Sequence, residues 1–267
     1  MKRRRPLIIF GAVVALLLAT FLLVPLVVVV VSAFSPSAAL GVSSEQWAAG
    51  AGAGRAFRYV LATYGAHLRT SALLALLSAS AALALGLPAG LSLGVAPRTR
   101  TAGALEILLT LPLAMPGLTV ALALLTAYGA YAGDLGLLVL GHVLYTLPFT
   151  VRTVAAAARM SAIASALEAA RTLGATRVQR ARYLLLPSLR RAAQTSLLLA
   201  LAVSFGEFNV TFLLATPAHG TFPTALYLTY TTNSFPVAAA ATTIFLAGLV
   251  PLLAGALWLG GEPQQGA

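Results

Sequence analysis

Long runs without charge alternate along this chain with short basic segments, and that alternation predicts its architecture. Residues 7–31 contain no ionisable side chain, and the run exceeds the roughly 20 residues with which an α-helix crosses a hydrocarbon core. Further apolar runs follow at 70–96, 107–127, 135–151, 192–216 and 237–259, the fourth in order being the shortest and ending against Arg152. The pattern predicts an all-α, polytopic membrane protein with six transmembrane helices. Residues 1–6 form a short N-terminal segment and 7–267 one transmembrane domain. The first run admits a second reading as a cleaved signal peptide. It is longer than the usual apolar region of about 7–15 residues and lacks a clear small-residue cleavage site, which favours a retained helix.

Composition sharpens this picture. Hydrophobic residues make up 60% of the chain and charged residues 9%, with a mean hydropathy of +0.93. A soluble chain of 267 residues needs far more charge to cover its surface. The net charge of +11 suggests nucleic acid at first sight, but the basic residues gather between apolar runs, as membrane topology requires. No nucleic-acid partner is therefore expected, and membrane lipid is. The absence of Cys removes disulfides and thiolate metal sites.

Orientation follows from Lys and Arg. With six spans and an inside N-terminus, the inside segments are 1–6, 97–103, 152–191 and the C-terminal tail; they hold fourteen basic residues against three outside, Arg55, Arg58 and Arg69. Both termini are expected in the cytoplasm. The outside segment 34–66, rich in Gly, Ala and Ser, is expected to be partly irregular. Close helix packing is expected at small residues, Ser78 to Ala82 and Gly86 with Gly90, because lipid removes the hydrophobic drive between helices. Proline recurs at Pro25, Pro88, Pro112, Pro116, Pro148 and Pro251. These are either ordinary membrane-helix prolines or, at Pro112 and Pro116, residues that shape a helix lining a pathway.

The most informative segment lies between the fourth and fifth spans. Residues 155–173 are good helix formers, Gly174 suits a tight or left-handed turn, and 176–186 make a second short helix. Pro187 is expected to prevent simple continuation into the span. The result is a helix, Gly turn and helix at the cytoplasmic surface, within a loop spanning 158–191. Arg171, Arg177, Arg180, Arg182, Arg190 and Arg191 suit lipid head groups or an acidic partner. Ala169, Ala170, Leu173 and Ala175 form a small apolar strip suited to a partner's groove.

The spacing here is specific. Glu168-Ala169-Ala170, three residues, Gly174, nine residues, Leu184, one residue and Leu186-Pro187 resemble the EAA loop of bacterial ABC-importer permeases, the membrane subunits of binding-protein-dependent transport systems. The family pattern has Ile where Leu184 stands, a mild departure. The resemblance implies that this loop is a coupling helix seated in a cleft of a separate ATP-binding subunit. Glu168 would meet a basic or polar group there, Ala169 and Ala170 would permit close packing, Gly174 would turn the chain, and Pro187 would set the entry angle of the fifth helix. It further implies an ATP-binding cassette subunit dimer, a second permease subunit (identical or related) and a periplasmic or lipid-anchored substrate-binding protein. The expected location is the bacterial inner membrane. ATP closure would bring the coupling helices together and switch the transmembrane halves from inward-facing to outward-facing.

The sequence itself argues that the ATPase is another chain. Its single lysine is Lys2, so no phosphate-binding loop with its Lys exists in the spans or loops, and no cofactor or metal is expected to be bound here. His67, His142 and His219 have no partners at metal-ligand spacing and are read as non-catalytic. Glu106, just after the basic turn, is expected to pair at the interface.

Glu207 lies inside the fifth run with Asn209 and Thr211 on neighbouring faces, and intramembrane acids are functional candidates. Two readings stand: contact with a cationic substrate, or a structural or gating role. The run from Leu111 to Gly117 and the outside loop 217–236, with Thr221, Pro223, Tyr227, Tyr230 and Asn233, resemble the subgroup handling polyamines, iron(III), thiamine, phosphonates, molybdate and sulfate. A polyamine-like or iron-like cation is the expected substrate, with thiamine, phosphonate, molybdate or sulfate as the alternative. Two other classes fit less well. An intramembrane hydrolase needs a nucleophile paired with a base. An ion-driven secondary transporter is expected to show repeated halves, and none is visible.

Overall fold

A computed structural model of the chain describes residues 5–34, 54–97, 99–160, 163–232 and 235–261. Residues 1–4, most of the outside segment expected at 34–66, Arg98, Asn233 and the tail from 262 lie outside the described residues. Among those described, the elements are helical: α1 Arg5–Phe34, α2 Gly54–Val95, α3 Arg100–Thr110, α4 Gly117–Tyr128, α5 Leu135–Met160, α6 Ile163–Thr172, α7 Arg177–Gln179, α8 Leu186–Phe205, α9 Asn209–Leu214, α10 Phe222–Thr232 and α11 Phe235–Gly261. Four of them, α1, α2, α5 and α11, are long and apolar enough to cross a membrane, and the bent pair α3–α4 makes a fifth if it counts as one span.

The chain divides into two compact units, Met1–Gly65 with Leu226–Leu246, and Ala66–Ala225 with Ala247–Ala267. In the first, α1 is apolar on every side and exposes Leu16, Phe21 and their neighbours, the composition of a helix whose solvent is lipid. Phe34 and Phe57 place their rings 5.0 Å apart, and the Tyr230 hydroxyl lies 3.2 Å from Thr242 Oγ1.

The second unit is built on a glycine seam. Gly86, Gly90 and Gly94 recur every four residues along one face of α2 and meet α5. A Cβ on Gly90 would stand 2.7 Å from the Val151 carbonyl oxygen, and one on Gly94 would stand 2.4 Å from the Ala158 Cβ. Backbones approach that closely only where the side chain is absent. The expectation for Gly86 and Gly90 thus holds, and Gly94 extends the stripe. An apolar core joins Leu74 of α2, Val120, Ala121 and Leu124 of α4, Leu137 and Leu138 of α5, and Val210 and Leu214 of α9.

Several expected elements differ. The run 107–127 is not one helix: α3 tightens into a 3₁₀ turn at Leu111–Ala114, and the two arms bend by 103° before α4. Pro116 lacks an N–H, and a residue preceding proline avoids helical angles. Met115 is accordingly extended, with φ −98° and ψ 136°. Pro25, Pro88, Pro148 and Pro251, by contrast, sit inside continuous helices. The run 192–216 is broken at 206–208, between α8 and α9. Residues 54–66 are helical, residues 35–53 of the segment expected to be partly irregular lie outside the described residues, and the outside loop 217–236 is helical from Phe222 to Thr232.

Pro187 does not interrupt the chain's helical course either. Residues Arg180–Leu185 form a π-helix that runs straight into α8. A proline ring would clash with the carbonyl four residues back in an α-helix, here Tyr183. The wider winding, in which the Leu186 N–H reaches the Ala181 carbonyl, relieves that clash without ending the helix.

Candidate functional site

The loop between α5 and α8 is a stack of local signals. Helix α6 ends in a Schellman motif: Gly174 has φ +77°, its N–H bonds the Arg171 carbonyl, and the Ala175 N–H reaches back to Ala170 at 2.9 Å. Glycine adopts that left-handed angle without steric cost. The next residue opens a capping box. Thr176 Oγ1 accepts the Gln179 N–H at 3.3 Å while Gln179 Oε1 accepts the Thr176 N–H at 2.8 Å, satisfying donors that a helix start leaves orphaned. A single residue, Ala175, separates the two caps, so the turn has little freedom.

Ala166, Ala169, Ala170, Leu173, Gly174, Ala175, Tyr183 and Leu184 line an open concavity of about 650 Å³. Arg180 also lines it, and its Nε is buried without a hydrogen-bond partner among the described residues. Glu168 points elsewhere and is exposed, Leu173 is 86% exposed, and Leu186 and Pro187 are exposed on the following helix. The base of the loop is anchored. Ile163 packs with Val154, Ala158 and Leu189, joining α6 to α5 and α8. Beside it, Arg159 forks onto Glu106, with Nη2 to Oε2 at 2.6 Å and Nη1 to Oε1 at 3.2 Å, tying α3 to α5. Glu106 therefore pairs across the helices, with Arg159.

A second site lies where the two broken runs meet. A Cβ on Gly117, at the start of α4, would stand 2.9 Å from Asn209 Cβ and 3.1 Å from Glu207 Oε1. Glu207 is only 5% exposed, and its Oε2 accepts the Val210 N–H at 3.1 Å, so the carboxylate caps the restart of the helix as α9. An acid at a helix N-terminus also complements the backbone dipole. Thr211 is fully buried and turns toward α5, where its Oγ1 lies 3.0 Å from His142 Nε2. His142 Nδ1 lies 2.8 Å from Ser204 Oγ, which in turn lies 2.8 Å from Ser78 Oγ.

The structure thus gathers Ala169, Ala170, Gly174 and Leu184 around one concavity, and Glu207 and Asn209 around Gly117. It sends Thr211 to a separate polar chain. That chain, through His142, Ser204 and Ser78, escapes sequence reasoning because its members come from three distant segments. The Thr176–Gln179 box was readable, since Thr, two residues and Gln is a capping signature. No group of three or more His, Cys, Asp or Glu among the described residues suits a metal.

The family model described as "Binding-protein-dependent transport system inner membrane component" matches residues 86–258. Two solved structures share the fold. Inward-facing MetNI, a methionine ABC transporter, aligns over 73% of this chain and 94% of its own at 17% identity, with a TM-score of 0.60. A bacterial ABC transporter that imports the acidic polysaccharide alginate aligns over 97% of this chain and 95% of its own at 16% identity, with a TM-score of 0.66.

Proposed function

This chain belongs to the family of binding-protein-dependent transport system inner membrane components, a non-catalytic permease subunit of an ABC importer, and from that premise we propose that it is driven through the loop holding Glu168 and Pro187. The observation that carries the proposal is the doubly capped turn at Gly174, Ala175 and Thr176, which makes the loop a stiff lever rather than a solvated tether. The Ile163 cluster and the Arg159–Glu106 pair would pass its displacement to α5, α8 and α3. Arg180, which lines the concavity, offers its guanidinium to a carbonyl or carboxylate on the ATP-binding subunit.

In this reading the permease domain is 7–267 with its coupling loop at 158–191 on the cytoplasmic side, as are both termini. A second permease subunit completes the pathway, an ATP-binding cassette dimer binds the ATP, and a periplasmic or lipid-anchored binding protein delivers substrate. The substrate class we propose is a polyamine-like or iron-like cation, passing near the breaks at Pro116 and Glu207. Broken helices at membrane depth are tolerated where they are buried in protein or line a cavity.

Capture tests the drive. Wild-type permease should retain its ATP-binding subunit through affinity purification, and Glu168→Lys should lose it while still inserting in the membrane. Unchanged capture and transport in that variant would sink the docking proposal. For the substrate, calorimetric titration of the partner binding protein with spermidine and with an iron(III) chelate should give saturable heat for one of them. Binding of molybdate or sulfate instead would overturn the cation assignment.

A further inference from the structure

His142 is wholly buried in α5, and the hydroxyls around it determine where its proton sits. Ser78 Oγ lies 2.5 Å from the Leu74 carbonyl oxygen. A carbonyl only accepts, so the Ser78 O–H is committed there. Ser78 Oγ must then accept from Ser204, and the one proton of Ser204 goes to it. Ser204 Oγ is left to accept from His142, which places a hydrogen on Nδ1. Nε2 is bare and accepts the Thr211 O–H. Every hydroxyl donates once along this chain. With the hydrogen on Nε2 instead, Thr211 would have to accept from it and no acceptor among these groups would remain for its own proton.

We infer that His142, held as the Nδ1–H tautomer, is a positioning residue that ties α5 to both halves of the broken fifth run, to α8 through Ser204 and to α9 through Thr211. The neighbouring Gly141 supports this, since a Cβ there would stand 2.6 Å from Val210 Cγ1 of α9. At the outer end of α9, the Gly133 N–H bonds the Leu214 carbonyl at 3.1 Å. The break at 206–208 is thereby held at a defined angle, and with it Glu207 and Asn209 against Gly117. That this angle matters for transport rests on the pathway reading above; the tautomer and the clasp do not.

Two measurements on the full-length chain in nanodiscs test this. Nitrogen-15 NMR of histidine-labelled protein, with His67→Gln and His219→Gln used for assignment, should show His142 with a protonated-type Nδ1 and an unprotonated-type Nε2. In Ser204→Ala the Nδ1 acceptor is gone, so the Nδ1 resonance should shift toward that of a non-hydrogen-bonded N–H while Nε2 stays unprotonated and accepts from Thr211. A bare Nδ1 or a doubly protonated ring in the wild type at neutral pH overturns the assignment. The absence of native cysteine then allows spin labels at Arg190→Cys and Phe212→Cys. Their distance distribution should be narrow, broaden in Ser204→Ala, and narrow again in Ser204→Thr, which restores the hydroxyl. An equally narrow distribution in Ser204→Ala overturns the positioning role. If Ser204→Ala fails to insert, the wild-type tautomer and the Ser204→Thr distances still decide. A wild type that passes both tests but does not capture its ATP-binding subunit would count against the proposed function and leave the clasp standing.

Discussion

Gly174 shows how one residue sets the geometry of the proposed docking loop. A Cβ there would meet nothing within 4 Å, so its whole penalty is conformational, about 1–2 kcal/mol for a side chain held left-handed. Gly174→Ala should weaken capture of the ATP-binding subunit by about tenfold, since 1.4 kcal/mol corresponds to a factor of ten. Gly174→Pro should abolish it, because proline cannot reach φ +77° at all. Titration of purified permease with the ATP-binding subunit measures both, and membrane insertion should be normal in each. The Arg159–Glu106 pair carries a smaller energetic role. Both side chains are about one-third exposed, 36% and 34%, so screening limits the pair to about 1 kcal/mol. A double-mutant cycle of Arg159→Ala and Glu106→Ala on thermal unfolding should return a coupling energy no larger than that.

At the scale of elements, the seam between α2 and α5 makes a sharper demand than apolar character alone. Gly90→Ala pushes a methyl into the Val151 carbonyl and should destabilise the protein by about 1–3 kcal/mol, as overpacking does. Gly103→Ala meets nothing within 4 Å inside α3 and should be neutral or stabilise by about 0.5–1 kcal/mol, the helical cost of glycine. Unfolding midpoints in one detergent would separate the two. The π-helix at Arg180–Leu185 makes a different prediction. Pro187→Ala restores a donor and removes the ring, so the segment can rewind as an α-helix. One residue of register turns a helix by about 100°, which would swing the loop away from its partner. Capture should fall in that variant while far-ultraviolet circular dichroism stays the same.

For the whole molecule, the fourteen-to-three distribution of basic residues predicts an orientation for every element. The cysteine-free background makes this directly testable. Ala175→Cys should react with a membrane-impermeant maleimide only after cells are permeabilised, whereas Ala218→Cys should react in cells whose outer membrane alone is opened. The reverse pattern would invert the topology.

Membrane residence, and the loop we propose for the ATP-binding subunit, are legible in the sequence because both rest on local quantities. Apolar run length, the placement of Lys and Arg, and the order Glu168, Gly174, Pro187 are all read without knowing what lies nearby. The close packing at Gly86 and Gly90 belongs to the same class; the capping box at Thr176 and the extension of the stripe to Gly94 are equally local but emerged from the structure. Where helices stop behaving as rods depends instead on distant segments. Pro25, Pro88, Pro148 and Pro251 leave their helices continuous while Pro112 and Pro116 accompany a 103° bend, and a proline's own chemistry is the same in each case. The difference lies in what fills the space at the break, namely Glu207 and Asn209 from 90 residues further along. His142 is the clearest case: alone in sequence, it acquires a role only when Ser204 and Thr211 arrive on either side of its ring. Hydrogen bonds between distant segments leave no spacing to read, and so they became visible only in the folded chain.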